Sequence, residues 1–345
     1  MVYGPEGTGK TYFALSVLDW LNLVQGLKVE DLCIRIIDTD HGVEPILDHF
    51  NLEYYSCIEI STPRDFGELE KACNYFIKEC KEWQEQKVKE LGAIGIYTAW
   101  VICDTIAGWW DGSTGAQEWY SKSKRGMSLT EVALDEDERL DPRDDYRVIN
   151  PMHNYLADRL KGSGVNFIWT APSKDVYGVG KEKYKKLGKK PAGQKLNTFR
   201  VDNVIYLHQD SMKPQYIWAF LEKSRDVTHQ YGGTPEDRQQ AKPEDKDRIL
   251  TCNRVTYIKH MRRLEQCRTI DIEDRKVAQK KLVETLKAKG IYHGDEADEA
   301  DEAEAPIKPE PEPDNDNEKP KSIKRPEPIT ESEEVDASLD LSLDL

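Results

Sequence analysis

The sequence predicts an α/β fold: a mainly parallel sheet flanked by helices. Three observations carry that expectation. Short apolar runs alternate with amphipathic stretches through the first two-thirds of the chain. Several of those runs stop at an aspartate or a threonine. A glycine-rich loop, Gly4-Pro5-Glu6-Gly7-Thr8-Gly9-Lys10-Thr11, stands between the first run and the first helical pattern. Strand–helix alternation of this kind reads as βαβ units, whose ligands gather at the carboxyl ends of the strands.

Taken in order, Val2-Tyr3 is the end of a strand, and Phe13, Val17, Leu21 and Val24 line one face of the helix that follows. Leu32–Ile37 is a second strand, running into Asp38-Thr39-Asp40-His41-Gly42. Thr62-Pro63 opens a helix whose buried face is Phe66, Leu69, Cys73, Phe76, Cys80 and Trp83. Ala99–Cys103 is a strand ending at Asp104, while residues 111–147 are polar and poorly periodic. A helix around Asn154–Lys161 leads into the strand Asn166–Thr170, and Val204–Leu207 and Tyr216–Leu221 are further strands. The core is expected over residues 1–235, with a charged, mostly helical appendage over 236–294.

The loop has the spacing G-x-x-x-x-G-K-[ST], the pattern of a phosphate-binding loop. Its glycines let successive backbone N–H groups turn inward as an anion site. Lys10 would reach the outer phosphates of a nucleoside triphosphate, and the Thr11 hydroxyl would ligate Mg²⁺. The expected ligands are therefore ATP and Mg²⁺. A buried strand of about five residues should precede such a loop; with only Met1-Val2-Tyr3 present, the expectation is a natural start further upstream.

Composition adds limits. The net charge of −15 is concentrated in a tail: residues 295–345 hold nineteen acidic and five basic side chains, which leaves residues 1–294 nearly neutral. Poor in apolar residues, the tail is expected to be disordered. Its last eight residues, SLDLSLDL, alternate leucine with polar groups, the pattern of a peptide that docks on a protein partner or of a solubilising end. Seven cysteines with no C-x-x-C pair are read as reduced thiols, and no run is long and apolar enough to cross a bilayer. The expected location is the cytoplasm.

Together, GPEGTGKT, IIDTDHGVEPI and VICDTIAGWW resemble the RecA-like recombinases and their small phage-encoded relatives. The first is similar to that family's Walker A loop. The second resembles the segment whose second acid is catalytic, which implies that Asp40 orients the attacking water. The third resembles the Walker B strand and implies that Asp104 serves Mg²⁺. WTAPSK falls where the family carries a Thr-Asn-Gln sensor before a mobile DNA-binding loop, with Pro172 in the glutamine position. FLEKSRD resembles the basic pair that reaches a neighbouring subunit's nucleotide, which implies that Lys223 and Arg225 act between copies in a filament or ring. The resemblance covers about residues 1–226.

After Thr170 come Lys174, Lys181, Lys183, Lys185, Lys186, Lys189, Lys190 and Lys195, with Tyr177 and Tyr184 interleaved and glycines at 178, 180, 188 and 193. Lysines neutralise phosphates and tyrosines stack bases, so this segment is the expected binding loop for single-stranded DNA. Trp109 and Trp110 are expected in the core, and Trp119 and Tyr120 are further stacking candidates. The expectation is a DNA-stimulated ATPase acting in phage or viral recombination, annealing or replication. Alternatives are a P-loop ATPase that loads or remodels a protein partner, or a small-molecule kinase.

Overall fold

The computed structural model describes residues 1–288, apart from 113, 136–138, 142, 178–184, 211, 214, 247 and 253–254. The expected acidic tail lies outside the described residues.

Eight strands form one sheet. Its order is β3 (Ile58–Ser61), β2 (Cys33–Asp38), β4 (Ala99–Asp104), β5 (Asn166–Tyr177), β1 (Val2–Gly4), β7 (Val204–Gln209) and β8 (Ile217–Lys223), with β6 (Lys186–Pro191) paired to the far end of β5. The pairings from β3 to β7 are parallel; those of β8 with β7 and of β6 with β5 are antiparallel. The three-residue β1 lies between β5 and β7, with Val2 opposite Thr170 and Ile205.

Strands buried on both faces read as continuous apolar runs rather than alternating ones. On one face, Val2, Ile34, Ile36, Trp100, Ile102, Ile205 and Leu207 pack with Phe13, Leu15 and Leu18. These last three come from α1 (Lys10–Leu15) and α2 (Val17–Asp19). On the other, Cys33, Ile37, Val101, Cys103 and Trp169 meet Leu69, Cys73, Phe76 and Leu156. All seven cysteines are buried free thiols. Among the described residues, no helix is long and apolar enough to cross a membrane.

Several boundaries differ from the sequence expectation, each for a local reason. The first helical run breaks at Ser16 and ends in a wide turn over Trp20–Val24, which rotates Val24 to 50 % exposure while Phe13, Val17 and Leu21 stay buried. After α3 (Glu44–Leu47), helix α4 spans Phe66–Leu91 and starts after Thr62-Pro63, because Asp65 caps it by accepting from Glu68 N at 2.9 Å. The polar stretch 111–147 contains α5 (Ala116–Arg125) and α6 (Leu129–Leu134). A capping box of Ser128 and Glu131 starts the latter. Helix α7 runs from Tyr146 to Gly162 through Pro151, longer than the expected Asn154–Lys161. Beyond β6 and β8 lie α8 (Asn197–Arg200), α9 (Pro235–Gln240) and α10 (Tyr257–Ala288). Leu264 and Cys267 of α10 are buried in the same core as α1.

Candidate functional site

The Gly4–Thr11 loop joins the carboxyl end of β1 to α1. Gly7 and Gly9 have φ of 72° and 76°, a region that side chains make costly. At Gly4 a Cβ would lie 2.5 Å from Leu207 O and 2.8 Å from Thr8 Oγ1, so β7 and the loop close on a position that only glycine fits. Thr8 Oγ1 donates to Pro5 O at 2.7 Å, and Lys10 Nζ donates to the same carbonyl at 2.8 Å. Burial draws the Lys10 pKa down, against the opposing pull of Asp104, Glu6 and Asp40.

Asp104, the last residue of β4, is buried beside this loop. Thr11 Oγ1 donates to its Oδ2 at 2.8 Å, and Thr170 Oγ1 on β5 donates to its Oδ1. Desolvation raises the carboxyl pKa, the two hydroxyls lower it, and the charges of Asp38 and Asp40 raise it further. Thr39 ties β2 to the same point: its N–H donates to Asp104 O at 2.7 Å, and its Oγ1 accepts from Thr105 N at 3.0 Å. Among the described residues no cluster of three or more His, Cys, Asp or Glu side chains is arranged around a metal position. A hydroxyl and one carboxylate are hard oxygen donors, suited to Mg²⁺, which keeps waters and phosphate oxygens as its other ligands.

The two aspartates after β2 have different environments. Asp38 is buried and accepts from the backbone N–H of Asp40, Gly42 and Val43 at 3.2, 3.3 and 3.0 Å, so it shapes the turn. Asp40 is exposed, yet the surrounding protein still desolvates it, and this together with Asp38 raises its pKa while Lys10 lowers it. Of the pair, Asp40 is the exposed one, and it feels the charges of Lys10 and Glu6 on the loop. Two partners that the sequence reading did not single out also stand here: Thr39, described above, and Asp111. Asp111 has a carboxyl raised by burial and drawn back by Lys174.

The described parts of the lysine-bearing segment on either side of residues 178–184 are paired as strands rather than open as expected. Strand β5 continues past Thr170 to Tyr177, and its Ser173–Tyr177 end pairs with β6 as an antiparallel hairpin. Backbone pairing overrides the weak strand propensity of its glycines and lysines. Lys174 Nζ approaches Gly193 O at 3.4 Å, and Lys189 pairs with Asp175 at 2.6 Å. Tyr177, Lys185, Lys190 and Lys195 are exposed. Lys181, Lys183 and Tyr184 lie outside the described residues; so does the Lys186 side chain, although its backbone belongs to β6. Of the aromatic candidates, Trp109 is fully buried and Trp110 packs at 5.5 Å on His153. Tyr120 donates to Asp145 at 2.8 Å, and Trp119 is 39 % exposed.

Lys223 and Arg225 do not join the loop within one chain. Lys223 pairs opposite Val204, at the amino end of β7, whereas the loop leaves the carboxyl end of β1. Lys223 Nζ donates to the carbonyls of Thr198 and Val201 at 2.6 and 2.9 Å, and Arg225 Nη2 to that of Phe199 at 2.7 Å. Both hold the carboxyl end of α8. Contact with a bound nucleotide would have to come from a second copy.

No protein-family model matches this chain, and no curated protein does.

Proposed function

We propose that this protein is an ATP-hydrolysing enzyme of RecA-like, P-loop type that binds single-stranded DNA, acting in recombination, annealing or replication of a phage or viral genome. The observation that carries the reading is the meeting of Thr11, the last residue of the glycine-rich loop, with the buried carboxylate at the end of β4, at 2.8 Å. A loop that suits phosphates and an acid that suits their counter-ion thus converge at the carboxyl edge of a parallel sheet.

In this reading, Gly4, Pro5, Glu6, Gly7, Thr8 and Gly9 supply the backbone cradle for ATP, and Lys10 leaves the Pro5 carbonyl to meet the outer phosphates. Thr11 and Asp104 would hold Mg²⁺, which neutralises charge on the phosphates. Asp40 orients the attacking water and accepts its proton. Lys223 and Arg225 supply charge to a neighbouring copy's nucleotide. Lys174, Tyr177, Lys185, Lys189, Lys190 and Lys195 on or beside the hairpin face the DNA, since β5 connects the hairpin directly to Thr170 and so to Asp104.

The test is ATP turnover of the full chain with and without single-stranded DNA, beside Lys10→Ala. Turnover that rises with DNA and vanishes in Lys10→Ala is expected. Undiminished hydrolysis by Lys10→Ala would remove the loop from the reaction; hydrolysis indifferent to DNA, with no DNA binding, would favour the partner-remodelling alternative.

A further inference from the structure

One face of the β7–β8 pair carries a row of rings, opening to solvent at its β8 side, that the site above does not use. Tyr206 pairs directly across from Phe220, with ring centroids 6.3 Å apart. His208, two residues along the same strand face, lies 6.1 Å from Tyr206 and 6.5 Å from Phe220. Tyr3 of β1, fully buried, continues the row inward at 4.9 Å from Tyr206. The alternate residues Ile205, Leu207, Ala219 and Leu221 point to the opposite face and fill the core, so strand alternation alone pushes these rings to one side. Tyr206 and Phe220 are half-buried and His208 is exposed.

A cavity of about 590 Å³ between α4 and α7 does not touch the loop; one of about 530 Å³ opens over this shelf, walled by Glu222, Gln230 and Gly232. The latter falls within the roughly 300–1,000 Å³ of small-ligand pockets. Gly232 has φ of 159°, and a Cβ there would come within 2.9 Å of Phe220 Cδ1. A side chain at that position would crowd the ring. Glu222 accepts from Tyr3 OH at 2.7 Å and Gln230 Nε2 donates to Glu222 O at 3.0 Å, so the polar wall is fixed. The shelf lies beside the lysine hairpin: β6 contacts β1, the strand that pairs with β7, and Lys189 and Asp175 both act electrostatically on the Tyr206 hydroxyl.

We infer that Tyr206, His208 and Phe220 form a stacking platform for unpaired bases of single-stranded nucleic acid whose phosphates follow the β5–β6 hairpin. A nucleobase is flat, stacks on aromatic rings and leaves its polar edge for the Glu222–Gln230 wall; aromatic rings beside lysines are the combination that single strands require. The inference rests on the proposed binding of single-stranded DNA and assigns part of that binding to a surface away from the glycine-rich loop.

The experiment uses the full chain, an oligothymidylate carrying one 2-aminopurine, and a matched oligonucleotide with abasic positions. His208→Ala and Phe220→Ala should each weaken binding roughly tenfold and relieve the quenching of 2-aminopurine, with His208→Phe restoring both. The abasic oligonucleotide should lose affinity for wild type but little more for the variants. The salt dependence of binding and the KM for ATP should stay unchanged, because phosphate contacts and the loop are untouched. Wild-type affinity and quenching in folded His208→Ala and Phe220→Ala would overturn the platform while leaving DNA binding intact. A raised KM for ATP with unaltered DNA affinity would also overturn it and assign the shelf to the nucleotide's own base. Failure of the wild type to bind the oligonucleotide at all would instead sink the DNA-binding reading, and the platform with it.

Discussion

The Thr11 hydroxyl reaches the Asp104 carboxylate at 2.8 Å across 93 positions of sequence, and the hydroxyl of Thr170 takes that carboxylate's other oxygen. One buried acid thereby fastens α1, β4 and β5 together at the edge of the sheet where the glycine-rich loop emerges. Replacing Thr11 by alanine removes one donor and the hydroxyl proposed for Mg²⁺. Thr11→Ala should abolish Mg²⁺-dependent ATP turnover, and Thr11→Ser, which keeps the oxygen, should retain most of it. Equal activity in the two variants would show that the hydroxyl has no part in the reaction.

Asp38 and Asp40 should separate into a structural and a chemical effect. Asp40→Asn leaves the turn intact and should slow turnover on the order of a hundredfold or more, with thermal stability unchanged. Asp38→Asn places an amide where a carboxylate now accepts three backbone N–H groups, and should destabilise the fold by about 1–3 kcal/mol. Thermal melts beside steady-state rates decide it. A large rate loss in Asp38→Asn at unchanged melting temperature, with little effect in Asp40→Asn, would exchange the roles.

Two buried histidines set an acid limit. Burial lowers His153 to about 3, with Arg200 adding to the effect, and burial lowers His260 to about 3. Because both pKa values lie below the ordinary 6.5, the unfolded chain binds more protons in that interval. Their contribution to stability is complete above about pH 6.5 and is lost as pH falls toward about 3. Each adds a slope of about 1.4 kcal/mol per pH unit within the window. Among the described residues no side chain pairs with either ring nitrogen of His153. His153→Leu should therefore keep the fold at neutral pH and flatten the acid slope, measured by urea melts across the window, by the share of one proton. An unchanged slope would mean that His153 becomes protonated in the folded chain.

Lys223 and Arg225 combine a local role with one proposed between copies. Lys223→Met removes two hydrogen bonds to the end of α8 and should lower stability by about 1–3 kcal/mol. If the ammonium also reaches a neighbour's nucleotide, turnover should fall without loss of ATP affinity. Mixing Lys223→Met with Lys10→Ala should then restore activity, because each copy supplies the half that the other lacks. Loss of stability alone, with no rescue in copies shown to co-assemble, would confine Lys223 to α8.

How far the sequence carried the structure follows from burial. β2 and β4 were legible because both faces of each are covered, which makes Cys33–Asp38 and Ala99–Asp104 nearly continuous apolar runs with an acid at the end. β3 is short and only partly buried, so Ile58–Ser61 carries little pattern. The β5–β6 hairpin pairs Ser173–Tyr177 with Gly188 and lysines of β6, whose side chains give no alternation to read. Within the site, the loop and Asp104 could be named from spacing and position. That Asp38 shapes the turn while Asp40 faces outward depends on three N–H directions, and that Lys223 lies at the opposite end of the sheet depends on β8 running antiparallel. The ring shelf needs the register of Tyr206 against Phe220, a long-range fact with no local sequence signature.

Strand β5 also has a mechanical consequence. It runs as one strand from Asn166 to Tyr177, its pairing with β6 shifting register only between Val176 and Tyr177, and near its middle Thr170 donates to Asp104. From Thr170 to Tyr177 the strand extends roughly 23 Å at about 3.3 Å per residue. A pivot of about 5° at Thr170 would sweep Tyr177 through roughly 2 Å, enough to make or break a hydrogen bond. The hairpin is thus a long arm beyond a point held by the Thr170–Asp104 hydrogen bond and by the pairing of Thr170–Pro172 with β1, and in the proposed reading a small tilt at that point would be magnified at the lysine-bearing end.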